Sequence, residues 1–128
     1  MTRVSGPLAD TPARLFLFVI FSMLQPRLDS VICPHPEGQH RMAWWCWGAD
    51  DAPHVVVCVH GLTRQGRDFD LLAQALVARS GGQVRVVCPD VAGRGRSEWL
   101  NLSGLYQIPQ YAADMLAMLA ELQRRAPV

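Results

Sequence analysis

The 128-residue chain is 50% hydrophobic and 18% charged, a composition that can bury a core and lies far from disorder. Its formal net charge of +1 supplies no field that would hold nucleic acid or an anionic membrane surface. The length suits one domain, or part of a larger one.

In chain order, the first marked segment is "RLFLFVIFSML", residues 14–24. It is too short to span a bilayer, which takes about 20 apolar residues. Arg3 and Arg14 precede it as in a signal peptide, but Asp10 dilutes the charge, and "QPRLDS" behind it offers no small-x-small cleavage site. Residues 1–29 therefore read as an N-terminal extension, either an apolar helix or disordered, and residues 30–128 as the fold proper. A cytoplasmic location is expected, without export or anchoring through Leu15 to Leu24.

From Ser30 a short strand leads into a Pro/Gly turn over residues 34–39, and a second strand runs from Arg41 to Trp47. Met42, Trp44 and Cys46 alternate there with Ala43, Trp45 and Trp47. Both faces are bulky, so the strand should be covered on both sides. "GADDAP" is a turn, and "VVVCV", Val55 to Val59, is a third strand. Its unbroken β-branched run suits a central strand of a parallel sheet. It stops abruptly at His60-Gly61.

"DFDLLAQALVARSGG" predicts a helix capped by Asp68, with Phe69, Leu72, Ala73, Leu76 and Val77 on one apolar face and Gly81 or Gly82 at its end. A fourth strand spans Gln83 to Asp90, followed by a long polar loop. The last helix starts near Pro109, a residue suited to a first helical turn, and its apolar side is Ile108, Tyr111, Ala112, Met115, Leu119 and Leu122. Arg124 and Arg125 complement its C-terminal dipole. Strands alternating with helices in this order predict an α/β architecture with right-handed crossovers.

The four cysteines, Cys33, Cys46, Cys58 and Cys88, form no Cys-x-x-Cys pair, and the histidines complete no zinc pattern. They read as buried thiols of a reducing compartment, and neither a metal nor a cofactor is expected. An active site built from Cys58, Cys88, His60 and Asp90 is disfavoured, because thiols inside apolar strands stay protonated. Gly93-x-Gly95 after a strand invites a dinucleotide reading, but Glu98 stands where the third glycine belongs and no helix follows directly.

"VVVCVHGLT" before a helix, then "VVCPDVAGRGRS" after the next strand, resembles the N-terminal half of an α/β-hydrolase-fold protein. Two signals carry the resemblance in order: His60-Gly61 at the end of the third strand, and Asp90-x-x-Gly93-x-Gly95-x-Ser97 after the fourth. It covers residues 30–122 and implies a partial hydrolase sheet of about four strands with helices, truncated before the nucleophile strand. It also implies that the turn after the third strand donates a backbone N–H to an oxyanion hole, with Leu62 or Thr63 as donor and His60 and Gly61 shaping the turn. A small-molecule substrate would follow, once a C-terminal half completed the site. The Asp90–Ser97 loop would be structural, and Arg64 and Arg67 are expected at the solvated start of the helix.

That mechanism also needs a Gly-x-Ser-x-Gly elbow and a later histidine. The nearest match is Gly95-Arg96-Ser97-Glu98-Trp99, which lacks the second glycine, and the last histidine is His60. The chain thus reads as a hydrolase-family fragment inactive alone. The alternative is a non-catalytic binding or oligomerising module. In the family the third strand lies between the fourth and fifth, so here Val55 to Val59 would be an open apolar edge prone to self-association.

Overall fold

The computed structural model describes residues 12–15, 17 and 24–125. Most of the apolar stretch at 14–24, and most of residues 1–29 with it, lies outside the described residues. Among those described, no helix is long and apolar enough to cross a membrane.

From Arg27 on, the described residues form four strands and two α-helices in the order β1 (Arg27–His35), β2 (Gly38–Trp47), β3 (His54–Val57), α1 (Asp70–Arg79), β4 (Val84–Pro89) and α2 (Ile108–Arg125). Short 3-10 turns at Gly66–Phe69 and Ser103–Leu105 precede the two helices. The sheet order is β1-β2-β4-β3, with β3 parallel to β4 and the other pairs antiparallel. A mixed sheet of four strands with helices is the size the motifs implied. β1 starts at Arg27 instead of Ser30, because the hairpin register pairs Arg27 with Cys46 and extends the ladder backwards.

The alternation in β2 builds both halves of the core. Met42, Trp44 and Cys46 pack with Cys33, Val87 and Met118 on the α2 side. Trp47 packs with Ala73, Val77, Val86 and Cys88 on the α1 side, and Trp45 joins that cluster from its margin. Trp44 and Trp47 are both fully buried. Each removes well over a hundred square ångströms of apolar surface from water, on the order of 3 kcal/mol at 25 cal/mol per Å².

Three expectations are corrected by this arrangement. The β-branched run at residues 55–59 suited a central strand by composition but forms the open edge that the family resemblance implied, and its strand ends at Val57 instead of Val59, although the Cys58 N–H still reaches Val87 O at 3.0 Å. Asp68 does not cap α1. It lies in the 3-10 turn and accepts the Gln65 N–H at 3.3 Å, while Phe69 takes the position before the helix and Leu72 is half exposed. The C-terminus of α1 closes as expected, with the Gly81 and Gly82 N–H groups bonded to Ala78 O and Val77 O in a Schellman pattern.

The third correction concerns α2. Its core face centres on Asp114 and Met118, supported by Met115, Ala117 and Leu122, whereas Ile108, Ala112 and Leu119 are exposed. The apolar arc of this helix is wider than the sheet beneath it can cover. Asp114 is buried because His40 Nε2 lies 2.7 Å from its Oδ2 and Gln110 Nε2 donates to its Oδ1 at 2.8 Å.

The end of α2 is latched by charge. Glu121 accepts bonds from Arg124 and Arg125, and Arg125 also pairs with Asp29 on β1. The Arg124 hydrogen bond, followed by that of Arg125, holds the Glu121 carboxyl down at about 2. A lowered folded-state value stabilises the fold above the ordinary carboxylate range, and that contribution is lost as the pH falls from about 4.5 towards 2. Thermal melts of the Glu121→Gln variant should therefore show a shallower loss of Tm across this window than the parent chain. Parallel curves would exclude the latch as a source of acid sensitivity.

Candidate functional site

The loop after β4 is organised by one carboxylate. Asp90 is fully buried; its Oδ1 accepts the Gly66 N–H at 2.7 Å and its Oδ2 the Arg96 N–H at 2.8 Å. Its own N–H donates to Ala43 O at 2.9 Å. Gly95 passes so close, at φ +51°, that a Cβ there would lie 2.2 Å from Asp90 Oδ2, and one on Gly66 would meet Cys88 O at 2.5 Å. Only glycine fits at such contacts. Ser97 is buried too: its Oγ donates to Asp90 O and accepts the Ala43 N–H at 2.8 Å. Its hydroxyl is committed to the backbone and is no nucleophile.

The turn after β3 is held just as firmly, by its carbonyls. The Gly61 carbonyl accepts the Arg64 N–H at 3.1 Å and lies 2.7 Å from His60 Nδ1. His60 Nε2 accepts the Val91 N–H at 2.9 Å. Together these contacts require the neutral Nδ1–H tautomer, with each ring nitrogen occupied by backbone. The Leu62 carbonyl accepts Arg94 Nε at 3.0 Å. A trans peptide is planar, so each N–H points opposite the preceding carbonyl. Holding the Gly61 carbonyl therefore aims the Leu62 N–H, and holding the Leu62 carbonyl aims the Thr63 N–H. Neither N–H donates to a protein acceptor among the described residues.

The fold that carries these two loops is similar to that of known enzymes. The thioesterase domain from the curacin biosynthetic pathway superposes with a TM-score of 0.57 at 27% identity, over 79% of this chain and 34% of that one. An α/β hydrolase from Novosphingobium aromaticivorans matches with a TM-score of 0.55 at 32% identity, over 76% of this chain and 32% of its own. The chain carries the N-terminal portion of an α/β-hydrolase fold.

In sequence, a 3-hydroxybutyrate-oligomer hydrolase from Cupriavidus necator is 57% identical over 97 residues, which is 76% of this chain and 32% of that protein. The chain thus spans about a third of the length of the relatives it matches. It matches no protein-family model.

Within this hydrolase fold, the His60–Gly61 turn borders an open cleft of about 370 Å³ lined by Val59, Leu62, Val91, Arg94 and the α2 residues Ile108, Tyr111, Ala112 and Met115. Thr63 faces a neighbouring polar recess with Arg64, Gln65, Asp68, Arg94 and Gly95. Arg94 stands between the two. Besides Leu62 O, it donates to Ala92 O at 2.8 Å and Tyr111 Oη at 3.1 Å, and its guanidinium lies over the rings of Tyr106 and Tyr111. Sequence reasoning did not single out Arg94. Its only local signal is its place between Gly93 and Gly95, where an arginine is forced beside the preceding turn.

The other expected residues are brought to this region in different states. Arg64 and Arg67 sit at the exposed start of the helical segment, paired with Asp68 at 2.8 Å and Asp70 at 2.7 Å, and Arg67 also covers the Trp45 ring. Cys58 and Cys88 are neighbours, and burial followed by Cys58 pushes the Cys88 thiol far up, so it stays protonated. All four cysteines are free thiols.

Away from this region, Cys33, His40 and Asp114 bring one ligand-type atom each within 4.8 Å of one another. There the His40–Asp114 hydrogen bond already joins two of the three. Burial, and then Asp114, push the Cys33 thiol up to about 12.

Proposed function

We propose that the chain supplies the oxyanion-hole side of an ester hydrolase site, with the Leu62 or Thr63 N–H as donor and His60, Gly61 and Arg94 setting its direction. One observation carries the reading: two consecutive peptide units are fixed by their carbonyls while their N–H groups have no protein acceptor among the described residues. Acyl transfer places negative charge on one oxygen of a tetrahedral intermediate, and donors already aimed at it stabilise that charge without reorganising. The nucleophile and its general base come from outside these 128 residues. Ser97 is bound to the backbone, and both ring nitrogens of His60 are occupied. The substrate class is a small ester, and the relative's name points to oligomers of 3-hydroxybutyrate. Free thiols throughout the chain support a reducing, cytoplasmic setting.

The test is a transplant. The chain alone should hydrolyse p-nitrophenyl acetate no faster than background. Replacing the matched 97 residues of the Cupriavidus necator hydrolase by the corresponding segment of this chain should preserve turnover of 3-hydroxybutyrate oligomers. A folded chimera without turnover would overturn the proposal, as would activity of the chain alone that survives removal of the Leu62 and Thr63 donors.

A further inference from the structure

Arg94 carries a charge that the described residues do not answer. Its Nε donates to Leu62 O at 3.0 Å, and its Nη1 to Ala92 O at 2.8 Å and Tyr111 Oη at 3.1 Å, all of them neutral acceptors. The rings beneath its guanidinium, Tyr106 and Tyr111, are neutral as well. Among the described residues no carboxylate pairs with it, and its Nη2 makes no hydrogen bond. A half-buried cation without an anion is costly, and the free side of a guanidinium has the planar geometry that a carboxylate fits.

Arg94 faces the polar recess that it shares with Thr63, Arg64, Gln65, Asp68 and Gly95. Arg64 brings a second guanidinium. Asp68 is the one acid lining the recess, and it is already committed, to Arg64 Nε at 2.8 Å and to the Gln65 N–H at 3.3 Å. Two cations against one engaged carboxylate leave an excess of positive charge. Its closeness to the proposed donors is built into the two loops themselves. Arg64 follows Thr63 in the chain, and Arg94 holds the carbonyl of the peptide unit that carries the Thr63 N–H.

We propose that this recess binds the free carboxylate of an acidic ester, with Arg94 as its main partner and Arg64 beside it. The site then selects esters that carry a carboxylate on the alcohol side of the scissile bond. The inference rests on the ester-hydrolase reading above and adds to it the charge of the substrate. In an ester of a 3-hydroxy acid, the carboxylate carbon stands four bonds, roughly 5 Å, from the scissile carbonyl carbon. A carbonyl oxygen held by the Leu62 or Thr63 N–H therefore brings that carboxylate within reach of a guanidinium one peptide unit away. A substrate without it leaves Arg94 unpaired, and a site built for a polar group discriminates against analogues that lack the group.

The chimera described above tests this when it is offered the 3-hydroxybutyrate dimer as the free acid and as its terminal primary amide, which differ only at the carboxylate. Its kcat/KM should favour the acid by about 10- to 100-fold, the range of a hydrogen bond to a charged group. Arg94→Gln should bring that ratio to about 1. Any disturbance of the turn by this substitution lowers turnover of acid and amide alike and leaves the ratio unchanged. If Arg94→Gln does not fold, Arg64→Gln, on an exposed side chain, should still lower the ratio severalfold. Turnover of both substrates without preference for the acid, or a preference that survives in the folded variant, would overturn the inference and leave the ester-hydrolase reading standing. A folded chimera that hydrolyses neither substrate would overturn both.

Discussion

Asp90→Ala is expected to lower unfolding stability by about 3–5 kcal/mol, since it strips a charged acceptor from two backbone donors at once. The Gly66 N–H is buried and the Arg96 N–H partly so, and both bond only to this carboxylate. Bonds to charged groups contribute roughly 1.5–3 kcal/mol each, and a cavity would replace the side chain. Domains of this kind have only about 5–15 kcal/mol in total, so the variant should populate unfolded chain under mild denaturant. Asp90→Asn keeps one oxygen but turns an amide donor against a backbone donor, and should fall between the two. Urea titrations followed by tryptophan fluorescence measure the series. A loss below about 1 kcal/mol for the alanine variant would mean that the loop is held by its glycines and Ser97 instead.

The second large effect is kinetic and belongs to the chimera described above. Leu62→Pro or Thr63→Pro removes one N–H while leaving the fold's core untouched. Whichever donor faces the oxyanion should cost about 10²–10³ in kcat, equivalent to about 3–4 kcal/mol of transition-state stabilisation, with KM changed little. The other substitution should have a much smaller effect. Equal, small losses for both would remove this turn from the chemistry, even in an active chimera. Tm measurements on the same variants separate lost catalysis from lost folding.

The relation between these two effects explains the arrangement of the loop. Asp90 fixes the segment from Val91 to Ser97, and that segment supplies both the Val91 N–H that sets the His60 ring and the Arg94 side chain that holds the Leu62 carbonyl. The carboxylate acts on the turn through the backbone and never touches it. A stability defect at Asp90 is therefore expected to loosen the proposed donors as well.

Much of this was readable in the chain order of residues. Alternation in residues 42–47 determined which tryptophan enters which half of the core, because side chains of a strand must point to opposite faces. His60-Gly61 and Asp90-x-x-Gly93-x-Gly95-x-Ser97 marked the two loops that meet, and the family they imply is the one the fold matches. Gly95 was meaningful because the Asp90 carboxylate occupies the space a side chain would need, and Gly93 because it holds a positive φ of +80° against the Tyr106 ring.

Other features were decided only by tertiary structure. Periodicity identified α2 as apolar at Ile108, Ala112 and Leu119, but it could not say that the sheet would stop short of them and that Asp114 would be buried in their place. Arg94 and Gly66 gained their roles from partners far along the chain, at Leu62 and Asp90. Sequence patterns report a residue's affinity for water and its local backbone preference. Which surface or carbonyl lies opposite it is determined by chain segments that meet only on folding.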